Sequence, residues 1–177
     1  MSRLPLRRLR DVVASELLIF KHRNVLHATD RYWMAPVWEC GIAAVLDGEP
    51  TPGTWRSSLE GTCTWSKATD TGLSQEVIDR HAAHDLSAPL QRHRIGHVPV
   101  YVRPQRADHG DDDLVALVGA ENPWGVRVDY LRLLMGADWE TAPLFTPQGV
   151  DADKSPVGPK STDGLLRMTM PMTRWWS

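Results

Sequence analysis

The chain is poor in the residues that announce the commonest chemistries. It holds two cysteines in 177 residues, Cys40 and Cys63, which form no CxxC pair. They stand either as reduced thiols or as one disulfide, and in a chain of this size two cytoplasmic thiols are the simpler expectation. There is no HExxH helix and no glycine-rich phosphate loop, and Ser, Cys and His occur without a recognisable nucleophile setting. Charge of one sign is also missing, since the formal net charge is −2. That excludes a generally basic nucleic-acid coat while leaving room for a local basic face. Long apolar runs are absent. Four arginines lie within Met1–Arg10, but the run that follows, Leu17–Phe20, is too short for an export signal or a membrane span. A cytoplasmic protein without membrane contact is therefore expected. Phenylalanine is scarce, with two residues, whereas tryptophan is abundant, with eight. Trp is bulky with a polar edge, so several are expected half-exposed at contacts.

The patterning that is present predicts a mixed chain. Leu4–Ala14 reads as an amphipathic helix, with Leu6, Leu9, Val12 and Val13 on one arc and Arg7, Arg8, Arg10 and Asp11 on the other. Leu17–Lys21 and Val25–Thr29 read as strands joined by a turn at His22–Asn24. Trp33–Cys40 and Ile42–Leu46 are apolar stretches of strand length, and Asp47–Gly53 is a loop by its Gly and Pro content. Thr62–Trp65 is a further candidate strand. Ser74–Asp85 opens like a capped helix. Gly96–Val102 and Leu114–Val118 are strand-like. Gly125–Val128 is expected extended and to run into a short helix ended by Gly136, with Pro143–Thr146 and Leu165–Met172 as closing strands.

One pattern recurs. Leu4-x-Leu-x-x-Leu-Arg-x-Val-Val-Ala14 matches the stretch from Val126 to Gly136 at an offset of 131 − 9 = 122 residues. Each copy leads to a strand with an apolar pair before Phe (Leu18-Ile-Phe20 and Pro143-Leu-Phe145), and later to a Met close to a Pro (Met34 and Pro36; Met170 and Pro171). The alternatives are two copies of one strand–helix–strand unit or chance likeness between short amphipathic helices.

Three segments then resemble, in order, a known family. Ala28-Thr-Asp-Arg-Tyr-Trp-Met-Ala35, Gly125-Val-Arg-Val-Asp-Tyr-Leu-Arg-Leu-Leu134 and Leu165-Leu-Arg-Met-Thr-Met-Pro-Met172 are similar to segments of the bacterial DNA sliding clamp, the beta subunit of DNA polymerase III. The likeness covers about a third of the chain. Trp33-Met34 stands where the family has Arg-Leu, Arg174 comes one residue late, and Glu60–Arg94 matches nothing in it. The resemblance implies an α+β fold with antiparallel sheets, one clamp-like domain over 1–177. Its first repeat would span about 1–60, an irregular middle 61–112 and a second repeat about 113–177. A clamp has three such domains in its chain; this one has the length of one.

The resemblance also implies a function, that of a replication accessory protein and not an enzyme. Clamps capture linear peptides of polymerases and other partners, and the matching positions are Thr29, Tyr32, Trp33, Met34, Tyr130, Met170, Pro171 and Met172. Met adapts to varied apolar ligands, and Tyr and Trp offer rigid faces with polar edges. Clamp rings also hold double-stranded DNA, without regard to sequence, against basic inner helices. Arg3, Arg7, Arg8, Arg10, Arg127 and Arg132 are the candidates here. A one-domain chain would have to form a homo-oligomer to make such a ring. The clamp reading calls for no cofactor. Two alternatives stand beside it. One is a clamp-like adaptor or decoy that modulates replication without encircling DNA. The other is a metal-dependent enzyme using His81, His84, His93, His97, His109 and Asp111–Asp113.

Overall fold

A computed structural model describes residues 9, 12–57, 64–69, 74–90, 98–99, 114–118, 124–149 and 154–171. Among them the chain forms mostly antiparallel sheets with few helices, an α+β architecture. β1 (Glu16–His22) and β2 (Val25–Thr29) make the expected hairpin, in register from Leu18 opposite Thr29 to His22 opposite Val25. Arg23 and Asn24 both take positive φ, 47° and 61°, the backbone hand that matches the twist of a two-residue hairpin. β3 (Trp33–Pro36) returns along β2, β4 (Gly53–Ser57) pairs with β1, and β5 (Trp65–Thr69) with β4.

Several expectations need correction here. Trp33–Cys40 is not one strand. It leaves the sheet at Pro36 and becomes the single-turn helix α1 (Val37–Cys40), which buries Val37 and Cys40 and turns Trp38 and Glu39 outward. Within α1 the two buried residues, Val37 and Cys40, are three apart, as one helical face requires. Gly41 ends this turn at φ 82°. Ile42–Val45 is then a 3₁₀ turn and not a strand, with Ile42 and Val45 buried three apart. Of the expected strand Thr62–Trp65, Thr62 and Cys63 lie outside the described residues, and β5 starts at Trp65. β4 was not anticipated at all, because Asp47–Gly53 with its glycines and prolines obscured where the loop ends.

The middle supplies α2 (Gln75–Ala82) and the unanticipated strand β6 (Leu86–Leu90). β7 (Val98–Pro99), β8 (Leu114–Val118) and β9 (Trp124–Arg127) form a three-stranded sheet. β9 runs directly into α3 (Val128–Met135), which Gly136 ends at φ 64°. β10 (Leu144–Pro147) pairs with β6. β11 is only Met168–Thr169, shorter than the expected Leu165–Met172, and pairs with β3. The largest sheet has the order β11-β3-β2-β1-β4-β5. Val157 and Gly158 stitch it to the β10-β6 pair. Val157 exchanges both backbone hydrogen bonds with Thr169 (2.8 and 2.7 Å), and Gly158 does the same with Phe145 (2.8 and 3.1 Å).

Two cores follow from the alternation of side chains along these strands. Leu17 and Ile19 of β1 and Trp33 and Ala35 of β3 join Leu9, Val12, Val13, Val37, Ile42, Trp55, Trp65, Tyr130, Leu133 and Leu134. Leu9, Val12 and Val13 come from the N-terminal amphipathic stretch, whose last turn is closed by Val13 N–H donating to the Leu9 carbonyl at 3.0 Å. The rest of that helix lies outside the described residues. Phe20 and Met34, pointing the other way, meet Ile78 of α2, Leu86, Leu166 and Met168. The run Leu-Leu-Ile-Phe in β1 is continuous because the strand is covered on both faces. A third cluster lies beneath α3, formed by Val126, Val128, Leu131, Trp139, Leu144 and Val157.

Most of the tryptophans with described side chains depart from expectation. Trp33, Trp55, Trp65 and Trp139 are buried, and Trp38 alone among those with described side chains is largely exposed, at 56%. Trp55 and Trp65 satisfy their indole N–H groups on the carbonyls of Thr51 and Ala14, each at 3.0 Å. With few phenylalanines available, Trp fills the volume of the larger core and uses its polar edge to tie in loops.

Candidate peptide-docking groove

Five of the eight expected pocket residues come together. Thr29, Tyr32, Trp33, Met34 and Met170 line one groove of about 230 Å³, with Arg31, Val77, His81, Met168 and Thr169. It lies where β3 meets β11, with Met34 opposite Met168 and Trp33 opposite Thr169. Past the end of that ladder, Met170 N–H donates to the Tyr32 carbonyl at 2.8 Å, and Thr169 Oγ1 donates to the same oxygen at 3.0 Å. The two segments are therefore locked side by side, although 137 residues separate Tyr32 from Thr169.

The β2–β3 turn owes its shape to Asp30. Its Oδ1 accepts the Tyr32 N–H at 3.0 Å, and its Oδ2 accepts the Ala14 N–H at 3.4 Å. Thr29 Oγ1 accepts the Arg31 N–H at 3.0 Å, while Arg31 itself takes φ 79°. This is the use that Asp and Thr side chains find in turns, supplying the acceptor that the ladder no longer provides. Burial raises the Asp30 carboxyl above its ordinary value, and the backbone N–H groups it accepts oppose that shift. The turn presents Tyr32, 60% exposed, at the mouth of the groove beside the half-exposed Met170, over a floor of buried Trp33, Met34 and Met168.

The remaining expected pocket residues are placed differently. Tyr130 does not line the groove. It is buried in the larger core with its hydroxyl accepting from Arg127 Nη1 at 3.3 Å, and burial, with the Asp30 charge second, pushes it up to about 12. Pro171 follows Met170 without lining the groove, and Met172 lies outside the described residues. Of the lining residues outside the expected pocket, Val77 and His81 are four apart on α2 and so share a face. That i, i+4 spacing was the available signal. Met168 was legible from the alternation Met168-Thr-Met170. Arg31 carried no signal beyond its place inside the Thr-Asp turn.

Of the candidate DNA-binding residues, Arg3, Arg7, Arg8 and Arg10 lie outside the described residues. Arg127 stacks its guanidinium on the Tyr130 ring at 4.7 Å. Arg132 stacks on Trp139 at 5.3 Å and pairs with Asp129 at 3.9 Å. Both arginines are thus engaged within the fold. His81 and His84 pack edge to face at 6.1 Å, and His93, His97, His109 and Asp111–Asp113 lie outside the described residues. Among the described residues no group of three or more His, Cys, Asp or Glu is arranged to hold a metal ion, and no helix is long and apolar enough to cross a membrane.

Behind the groove, His27 ties the C-terminal segment to β2. Its Nδ1 faces the Val25 carbonyl at 3.0 Å and must donate, which leaves Nε2 to accept the Leu166 N–H at 3.1 Å. The ring is stacked on Phe20 with centroids 5.6 Å apart. Burial lowers its pKa from 6.5 to about 4. Arg167, next in the chain, grips Glu39 of α1 through two bonds of 2.7 Å and Asp163 through bonds of 2.9 and 2.8 Å. Paired with Arg167, the Asp163 carboxyl is held well below the usual carboxylate range.

No family model, no curated protein and no solved structure matches this chain. Its function is therefore read from the groove.

Proposed function

We propose that this chain is a sliding-clamp-like accessory protein of DNA replication, a cytoplasmic binding protein and not an enzyme, whose groove docks linear peptide motifs of polymerases or other replication proteins. The observation that carries this reading is the meeting of Thr29, Tyr32, Trp33, Met34 and Met170, drawn from two of the three clamp-like segments, in a single apolar groove. Exposed aromatic and thioether side chains around a buried apolar floor are what a short peptide anchor needs.

The strand order supports the two-repeat architecture. An N-terminal helical turn precedes β1, β2 and β3, while α3 precedes β10, the Val157–Gly158 bridge and β11. The last strand of each series, β3 and β11, pair antiparallel, as two copies related by a local twofold would. Leu9 and Val12 of one helical segment share a core with Leu133 and Leu134 of the other. Among the described residues the joined sheet ends in two unlike strands, β5 and β6. Unlike edges suit head-to-tail assembly of a closed homo-oligomer around DNA.

A second reading has an observation in its favour. Arg127 and Arg132 contact Tyr130, Trp139 and Asp129, and an adaptor or decoy that docks peptides without encircling DNA needs neither of them for phosphates. Light scattering and duplex-DNA titration at low salt separate the two. An oligomer with DNA affinity that falls as salt rises supports the ring, and a monomer with no affinity removes it. For the groove itself, a fluorescent heptapeptide with an apolar centre should bind, and Tyr32→Ala and Met170→Asp should each weaken it about tenfold. Unchanged affinity in both folded variants would refute peptide docking at this site.

A further inference from the structure

We infer that α2 is a lid on the groove, a helix that opens while the sheets stay folded and closes when the groove is filled. This rests on the peptide-docking reading above and adds to it how an occupant is gripped.

The groove has one firmly held wall and one lightly held wall. The β2–β3 turn and β11 are joined by the Met34–Met168 and Trp33–Thr169 pairs and by both bonds to the Tyr32 carbonyl. Val77 and His81, the other lining residues, come from α2. α2 and α3 are each eight residues long, yet α3 buries six of its residues and α2 buries only Ile78. Ser74 gives α2 no side-chain cap. Among the described residues, the side-chain hydrogen bonds of α2 stay within the helix. Gln75 donates to Asp79 at 2.8 Å, Arg80 to Glu76 at 3.1 Å, and His81 Nδ1 to the Val77 carbonyl at 2.8 Å. A helix this short is not stable alone in water, so α2 depends on the place of Ile78 among Phe20, Met34, Leu86 and Met168. A single buried anchor puts its opening at the low end of the range of local unfolding.

The other end of α2 is tied down. After the turn at Ala83–Asp85, β6 pairs with β10, so the helix swings on that turn while Leu86 keeps its place in the cluster. Free space adjoins the pivot. Ala82, Ala83 and His84 line a second cleft of about 250 Å³, together with His22, Arg23 and Gly164. An occupant of the groove that touches Val77 and His81 makes contacts available only with the helix in place. Its binding therefore shifts the lid towards the closed form.

The test is amide hydrogen exchange on the whole chain, first without any ligand. The α2 amides from Asp79 to Ala83 should exchange about a hundredfold or more faster than the paired amides of β1 and β2. Their rates should not respond to urea below about 1 M, because the opening exposes little surface. Ile78→Ala should abolish protection in α2 while β1 and β2 remain folded and slow. The native pattern is read without any variant, so a variant that fails to fold does not blunt the test. Rates for α2 that coincide with those of β1 and rise equally with urea would overturn the lid. The second arm adds the heptapeptide with an apolar centre at about 100 times its Kd. Exchange in α2 should then slow by tenfold or more, up to about a hundredfold if only the closed form binds. A peptide that binds and leaves α2 exchange unchanged would overturn the closure and leave the docking reading intact. No peptide binding by a chain whose α2 opens locally would overturn the docking reading, and the coupling with it.

Discussion

His27 offers the sharpest perturbation in this fold. The ring is fully buried between β2 and the segment that walls the groove, and each nitrogen has one partner. Those partners demand the neutral form with its proton on Nδ1. A proton on Nε2 would point at the Leu166 N–H, and His22 and Arg167 would add repulsion that Glu39 only partly offsets. The folded state thus holds this pKa near 4, whereas the unfolded chain titrates near 6.5. Between those values the unfolded state binds more protons, so stability falls as pH falls. The contribution is fully present above pH 6.5, has dropped by about 2 kcal/mol at pH 5, and is lost in full, about 3 kcal/mol, below pH 4. His27→Phe retains the ring and its stacking on Phe20 but leaves the Leu166 N–H without an acceptor, which costs about 1–3 kcal/mol at pH 7. The assay is urea unfolding of both proteins at intervals from pH 8 to pH 4.5. Taking the difference between the two cancels other titrations, including Asp30, whose raised pKa acts in the opposite direction. The native chain should lead at pH 7, and that lead should shrink and then invert on acidification. Two parallel curves would refute the assignment of His27 as a neutral buried acceptor.

Three further changes probe the turns and the stitching. Gly158→Ala places a methyl group on the Arg167 carbonyl; it should lower thermal stability by more than about 2 kcal/mol, and an unchanged melting temperature would rule out the close approach. Asp30→Ala removes acceptors from the Tyr32 and Ala14 N–H groups; a loss of about 1–2 kcal/mol in urea is expected, with weakened peptide binding as the turn loosens. Asn24→Gly relieves a left-handed residue in the β1–β2 turn; it should raise the urea midpoint by the equivalent of about 0.5 kcal/mol, and a fall would argue against that turn geometry.

The hairpin was legible because its signals are local. Alternating apolar residues end at His22–Asn24, and the pairing lies within a few residues of chain. The extended segment running into α3 and the stop at Gly136 were legible for the same reason. Trp33–Cys40 was misread because Pro36 permits either an edge strand or the start of a helix. The choice falls to the core, where Val37 and Cys40 find Leu9, Ile42 and Leu134 as neighbours. β6 was missed because Leu86-Ser-Ala-Pro-Leu90 carries little strand propensity of its own and is extended by pairing with β10, more than fifty residues away.

The candidate site divides in the same way. The sequence by itself determined which residue types were available, the Met-rich closing segment and the Thr-Asp turn, because those depend on neighbours along the chain. Only the tertiary structure decided that Tyr130 belongs to the core, that Arg127 and Arg132 stack on Tyr130 and Trp139, and that Val77 and His81 of the middle segment close the groove beside Arg31. The physical reason is that a groove is formed by whichever elements the cores bring together, and residues as distant as Tyr32, Val77 and Met170 meet only once both faces of β1 and β3 are covered.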